Sequence, residues 1–155
     1  MIQKQIVQLT EAAKQLELHI TIETAGTVIH PVECDLMSIS PKLSNSTPEI
    51  GRAGEWVERH ERTRKSKEVV DQLLNHYNYQ LKFVVDTRED LDEINEYLDS
   101  LTAPYEKSRV LMMPQGVTQE ELAVRQQWLE PYCIENDYTF SPRMHIQWYG
   151  NKRGT

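Results

Sequence analysis

Cysteine is scarce in this sequence: Cys34 and Cys133 are the only two in 155 residues. They stand far apart in a chain with no secretion signal, so they read neither as a disulfide framework nor as a local metal-ligand cluster. Long apolar runs are missing as well. No stretch of about 18 apolar residues occurs, and the N-terminal "MIQKQIVQLTEAAK" is helix-like without the charged region and apolar core of a targeting signal. The expectation is a soluble cytoplasmic protein with no membrane partner. Basic residues are outnumbered, 17 against 24 acidic ones, for a net charge of -7, and they lie in scattered short groups. That argues against a nucleic-acid partner. The 5 histidines, His19, His30, His60, His76 and His145, lack the close spacing of zinc sites, so no metal site is expected within the chain. There is no G-x-S-x-G, P-loop, G-x-G-x-x-G or metalloprotease helix motif, and no internal repeat.

What is present is an alternation of helix and strand patterns. With 39% hydrophobic residues, the chain is long enough for one domain over 1–155 that buries roughly 70% of its unfolded surface. Ile2, Ile6, Leu9, Ala13 and Leu16 recur at helical steps from the first residue, with no capping residue ahead of them. "LELHITIE" alternates Leu18, Ile20 and Ile22 with polar neighbours and predicts a strand ending at Glu23, followed by the turn "TAGT". "CDLMSIS" predicts a buried strand over Cys34–Ser40, closed by Pro41. Residues 43–66, rich in Ser, Pro, Gly and charge, form a connection long enough to be a lid or binding loop. Val69, Val70, Leu73 and Leu74 predict a helix before the strand "QLKFVV". Thr87 and Asp90 form a capping pair for a helix carrying Leu91, Ile94, Leu98 and Leu101. "RVLMM" predicts a strand ending at Pro114, and Thr118 with Glu121 a capping box for a helix bearing Leu122, Trp128, Leu129 and Tyr132. "MHIQWY" predicts a last strand over Met144–Tyr149. The pattern calls for an α/β fold, either a parallel sheet or part of a β/α barrel.

Ligands of parallel α/β folds bind at the carboxyl ends of the strands. That rule selects "ETAGT", Ser40-Pro41-Lys42, Asp86, "PQG" and the C-terminal tail. At the first of these, Glu23 or Thr24 points into the strand-end mouth, where a carboxylate accepts paired hydrogen bonds from a planar edge bearing two N–H groups. The plainer reading of Glu23 is a surface glutamate. Ser40, Pro41 and Lys42 combine a hydroxyl, a fixed backbone and an ammonium suited to a carboxylate or phosphate, although such a tripeptide is more often a simple strand exit. His145 is either a core histidine satisfied by backbone or a donor near the mouth.

Together "ITIETAGTV", "CDLMSISPKLSNSTP", "MPQG" with the following "TQEEL", and "RMHIQWYGNKRGT" resemble the 7-carboxy-7-deazaguanine synthases, radical S-adenosylmethionine enzymes of 7-deazapurine and queuosine biosynthesis. The resemblance implies a shortened, partial β/α barrel and a homodimer that uses S-adenosylmethionine, a 4Fe-4S cluster and Mg²⁺. It implies lyase chemistry on 6-carboxy-5,6,7,8-tetrahydropterin, giving 7-carboxy-7-deazaguanine and ammonia. Carried over residue by residue, it places Ser40, Pro41 and Lys42 on S-adenosylmethionine, Glu23 and Thr24 on the pterin, His145 near it, and the Thr155 carboxylate across the pocket. Lys152 and Arg153 would pin the tail or meet the substrate's carboxylate. The family's Cys-x3-Cys-x2-Cys, the Mg²⁺-binding residue after it and the Gly-Gly-Glu-Pro segment have no counterpart here, and two distant cysteines cannot replace three closely spaced ligands. The expectation is therefore the C-terminal half of the enzyme, inactive until a complementary N-terminal chain supplies the cluster. The alternative is a non-catalytic binding or dimerisation module that keeps the same pockets.

Overall fold

A computed structural model describes residues 5–47 and 66–152. In chain order the elements are α1 (Ile6–Gln15), β1 (Thr21–Thr24), β2 (Leu36–Ile39), α2 (Lys67–His76), β3 (Tyr79–Val85), α3 (Glu89–Asp99), β4 (Val110–Pro114), α4 (Gln119–Glu135), β5 (Thr139–Phe140) and α5 (Met144–Tyr149), with short 3-10 turns at Ser44–Ser46 and Lys107–Arg109. The five strands form one parallel sheet in the order β1-β2-β3-β4-β5, and the sheet is not closed. Every neighbouring pair is also consecutive in the chain. That is the winding of a β/α barrel, seen here as an open arc.

Alternation along the strands separates two faces. On β3, Leu81, Phe83 and Val85 are fully buried, while Gln80, Lys82 and Val84 point the other way. The parallel register carries this division across the sheet, pairing Phe83 with Met112 on one face and Lys82 with Leu111 on the other. Val70, Leu73 and Leu74 of α2, Leu91, Ile94 and Leu98 of α3, and Leu129 and Cys133 of α4 complete a single core with the buried strand face. Each fully buried large side chain contributes about 1.5–3 kcal/mol of transfer free energy. The opposite face carries Glu23, Ser38, Gln80 and Lys82, so only one face of the sheet is committed to the core.

Local chemistry explains the helix starts. Thr118 and Glu121 form the expected capping box, with the Glu121 N–H on Thr118 Oγ1 at 3.2 Å and the Thr118 N–H on Glu121 Oε2 at 3.3 Å. Asp90 is 6% exposed, and its Oδ2 accepts from the N–H groups of Asp86 (2.7 Å) and Thr87 (3.0 Å) and from Asn45 Nδ2 (2.9 Å). A buried carboxylate is tolerated there because three donors replace its water.

One element differs in kind from the sequence reading. Met144–Tyr149, expected as the final strand, is a helix in which only Ile146 is buried, and it ends at Gly150 with φ +67°. The strand that closes the sheet's far edge is instead the two-residue β5, registered on Leu111 and Met112. Residues 48–65 of the long connection lie outside the described residues. Among the described residues no helix is long and apolar enough to cross a membrane.

Candidate functional site

The strand-end positions of β1, β2 and β4 converge around two adjoining depressions. The first, about 370 Å³, is lined by Glu23, Thr24, Ala25, Ser38, Ser40, Lys42, Lys82, Val84, Met113 and Arg143. The second, about 190 Å³, lies beside it and is lined by Ser40, Pro41, Lys42, Leu43, Asn45, Ser46, Val84, Asp86 and Gln115. Ser40, Lys42 and Val84 are common to both. The fold thus brings together Glu23, Thr24, Ser40, Pro41 and Lys42, the groups selected from sequence.

Backbone pairing holds them in place. The Ser40 N–H donates to the Thr24 carbonyl at 2.7 Å, extending the β1–β2 ladder past the last strand residue. Ser40 Oγ donates to the Lys82 carbonyl at 2.9 Å, which leaves its lone pairs open to a ligand's donors. Thr24 Oγ1 accepts the Gly26 N–H at 3.1 Å and so stabilises the turn that follows β1. Gly26 sits at φ +70°, and a Cβ there would come within 2.6 Å of Val70 Cγ2. Only glycine fits both the left-handed conformation and that approach of α2.

Three cations, Lys42, Lys82 and Arg143, face one carboxylate, Glu23, around the larger depression. Lys82 Nζ donates to Glu23 Oε1 at 3.2 Å. Arg143 NH1 donates to the Gly116 carbonyl at 2.8 Å, while its buried Nε has no partner among the described residues. Lys42 is exposed, on a backbone fixed by the buried Pro41. In a chain of net charge -7, this local excess of positive charge suits an anionic ligand.

Other selected residues have other places. Asp86 lines the second depression and is also held by Arg125. His145 is exposed on α5 and lines neither depression. Arg153 and Thr155 lie outside the described residues. Strand-end reasoning missed Lys82, Ser38 and Arg143. Lys82 was nevertheless signalled by its position, a lysine between the apolar Leu81 and Phe83, both of which are fully buried.

The cysteines do not make a cluster site. Cys34, at the approach to β2, is half-buried, and burial followed by the charges of Asp35 and Glu33 pushes its thiol up. Cys133 is fully buried in α4, where burial, then Glu130, raises it to about 11. Both environments disfavour the thiolate that a metal needs. Among the described residues no group of three or more His, Cys, Asp or Glu could hold a metal ion.

No family model matches the chain. Among curated proteins, it is 40% identical over 156 residues to the 7-carboxy-7-deazaguanine synthase of Rhodopirellula baltica, a match covering 100% of this chain and 60% of that protein. It is 34% identical over 148 residues to the 7-carboxy-7-deazaguanine synthase of Halobacterium salinarum, covering 90% of this chain and 58% of that protein. Among solved structures, QueE from Escherichia coli superposes with a TM-score of 0.53 at 20% identity, over 89% of this chain and 50% of that one, and shares its fold. The chain spans about three fifths of the length of the curated relatives it matches. Along its whole length the chain is therefore similar to the 7-carboxy-7-deazaguanine synthases, of which it matches about three fifths.

Proposed function

We propose that the chain is the ligand-binding part of a 7-carboxy-7-deazaguanine synthase. The reaction is conversion of 6-carboxy-5,6,7,8-tetrahydropterin to 7-carboxy-7-deazaguanine with loss of ammonia, in the cytoplasm and within queuosine and related 7-deazapurine biosynthesis. The observation that carries this reading is the gathering of Glu23, Ser40 and Lys42 at one parallel-strand mouth, in a chain whose relatives bear that name. Glu23 accepts hydrogen bonds from the pterin's amino group and adjacent ring N–H, a planar pair that a carboxylate matches with its two oxygens. Thr24 fixes the turn beside it.

Ser40, Pro41 and Lys42 fit S-adenosylmethionine: the Ser40 hydroxyl can accept from a ribose hydroxyl, and the Lys42 ammonium can meet the methionyl carboxylate. When bound, S-adenosylmethionine supplies the acceptor for a substrate hydrogen. Two dispersed cysteines do not fit a 4Fe-4S cluster, and among the described residues no group of three or more His, Cys, Asp or Glu could hold a metal ion. We therefore assign the cluster to a segment outside these 155 residues that carries Cys-x3-Cys-x2-Cys, and the working enzyme to an assembly of the two, alone or as a dimer.

The test is binding of 6-carboxypterin, followed by its own fluorescence, to the chain with and without the cysteine-bearing segment of a relative. Turnover of the tetrahydropterin would be assayed after reconstitution with iron, sulfide and S-adenosylmethionine. Turnover that depends on both polypeptides supports the proposal. Pterin binding with no turnover under any complementation replaces it with a non-catalytic binding module, and absence of binding in every preparation removes the site assignment.

A further inference from the structure

We propose that Lys82 is a specificity-determining residue, whose ammonium reads the carbonyl oxygen beside the N–H pair of a pterin-type edge. The inference rests on the assignment of Glu23 above and extends it. Lys82 lies mid-strand on β3 between Leu81 and Phe83, both fully buried, so its own side chain emerges on the opposite face. Val84 of the same strand and Met113 of β4 line the depression beside it, and its side chain is only 20% exposed. Partial burial of an ammonium against apolar neighbours is costly unless its donors are used.

Glu23 Oε1, 3.2 Å away, takes one donor, and among the described residues Nζ makes no other hydrogen bond or ion pair. An ammonium has three donors, so two remain for a ligand in the depression. A simple ion pair does not account for this placement. Glu23 is 74% exposed, and pairs of that kind add little stability.

The ligand chemistry supplies a reason. A 2-amino-4-oxo edge offers two N–H donors followed by a carbonyl acceptor, side by side in one plane. Glu23 matches the first two positions. The third needs a donor seated next to one carboxylate oxygen, which is where Lys82 Nζ stands. A ligand lacking that acceptor leaves a partly buried ammonium unpaired, and sites built this way discriminate strongly.

The experiment compares 6-carboxypterin with its 4-thio analogue, which keeps the N–H pair but weakens the acceptor at position 4. Affinities for both are measured on wild type, Lys82→Met, Lys82→Ala and Lys82→Arg, in whichever preparation binds 6-carboxypterin. The preference is a ratio within each variant, so loss of folded protein cancels, and two truncating variants guard against one failing to fold. We expect wild type to prefer the oxo ligand about tenfold. Lys82→Met and Lys82→Ala should bind the two ligands equally, with Lys82→Arg keeping part of the preference. An undiminished preference in both truncating variants overturns the role of Lys82 while leaving the Glu23 assignment standing. If wild type binds neither ligand, the Glu23 assignment itself falls, and this inference with it.

Discussion

Arg125 of α4 grips Asp86 at the carboxyl end of β3 through two kinds of oxygen. Its Nε donates to the Asp86 backbone carbonyl and to Oδ1, each at 3.0 Å, and its NH2 group pairs with the same carboxylate. A strand-end aspartate that sequence position alone assigns to a ligand thereby also seats a helix. Asp86 itself lines the Ser40–Gln115 depression. Arg125→Met keeps the apolar stem and removes every donor. It should lower stability by about 1–3 kcal/mol, the range for charge-assisted hydrogen bonds that are partly shielded from water. A urea unfolding midpoint equal to that of wild type would show that the grip contributes nothing.

Asp71 ties α2 to the turn after α3, accepting from the Thr102 N–H (3.0 Å), the Thr102 hydroxyl (2.6 Å) and the Ala103 N–H (2.9 Å). Burial raises its carboxyl, but the Thr102 hydroxyl and then the Ala103 and Thr102 amides outweigh burial and hold it below the ordinary value. A depressed folded value means the stabilisation is complete above the unfolded value of about 3.9 and is lost as pH falls through the folded one. Asp71→Asn should therefore cost about 1 kcal/mol at pH 7, allowing for solvent screening. The gap between wild type and variant should narrow as the pH is taken below 4. Denaturant midpoints at pH 7 and pH 3 check this, and a gap of constant size contradicts it.

Gly26 is where backbone conformation and packing coincide. Gly26→Ala places a methyl 2.6 Å from Val70 Cγ2 and 3.2 Å from Ile39 Cγ2, at a φ that L residues avoid. The expected loss is about 2–4 kcal/mol, part strain and part overpacking. Adding Val70→Ala should recover the packing part only. Thermal unfolding of the single and double variants separates the two, since the double should be more stable than the sum of the singles predicts.

Much of the architecture was legible because burial writes a period into the sequence. The alternation of Leu81, Phe83 and Val85, the helical steps of Leu91, Ile94 and Leu98, and the Thr118–Glu121 spacing all state their structure locally. The strand-end rule selected Glu23, Ser40 and Lys42 without knowledge of the fold, and the fold gathers them around one depression. Met144–Tyr149 was misread because a six-residue apolar and aromatic run has no period of its own. Ile146 alone is buried, so either conformation satisfies it. β5 went unseen because two residues cannot alternate, and only their pairing with Leu111 and Met112 makes them a strand. Arg143, and the carboxylate that Lys82 meets, depend on which groups approach across the sheet, which no single segment encodes.

The strand order also governs how the chain reaches this structure. Because each strand pairs with the one synthesised just before it, no strand must wait for a distant partner or be threaded between two others. Closures are short where Ile22 meets Met37 and moderate where Leu81 meets Val110 or Leu111 meets Thr139. The exception is β2 with β3, where Met37 must find Tyr79 across the long connection. Loop-closure entropy is greatest at that step, by a few tenths of a kcal/mol, so we expect the joining of β1–β2 to the rest of the sheet to limit the folding rate. Shortening that connection should speed refolding more than any change elsewhere in the sheet.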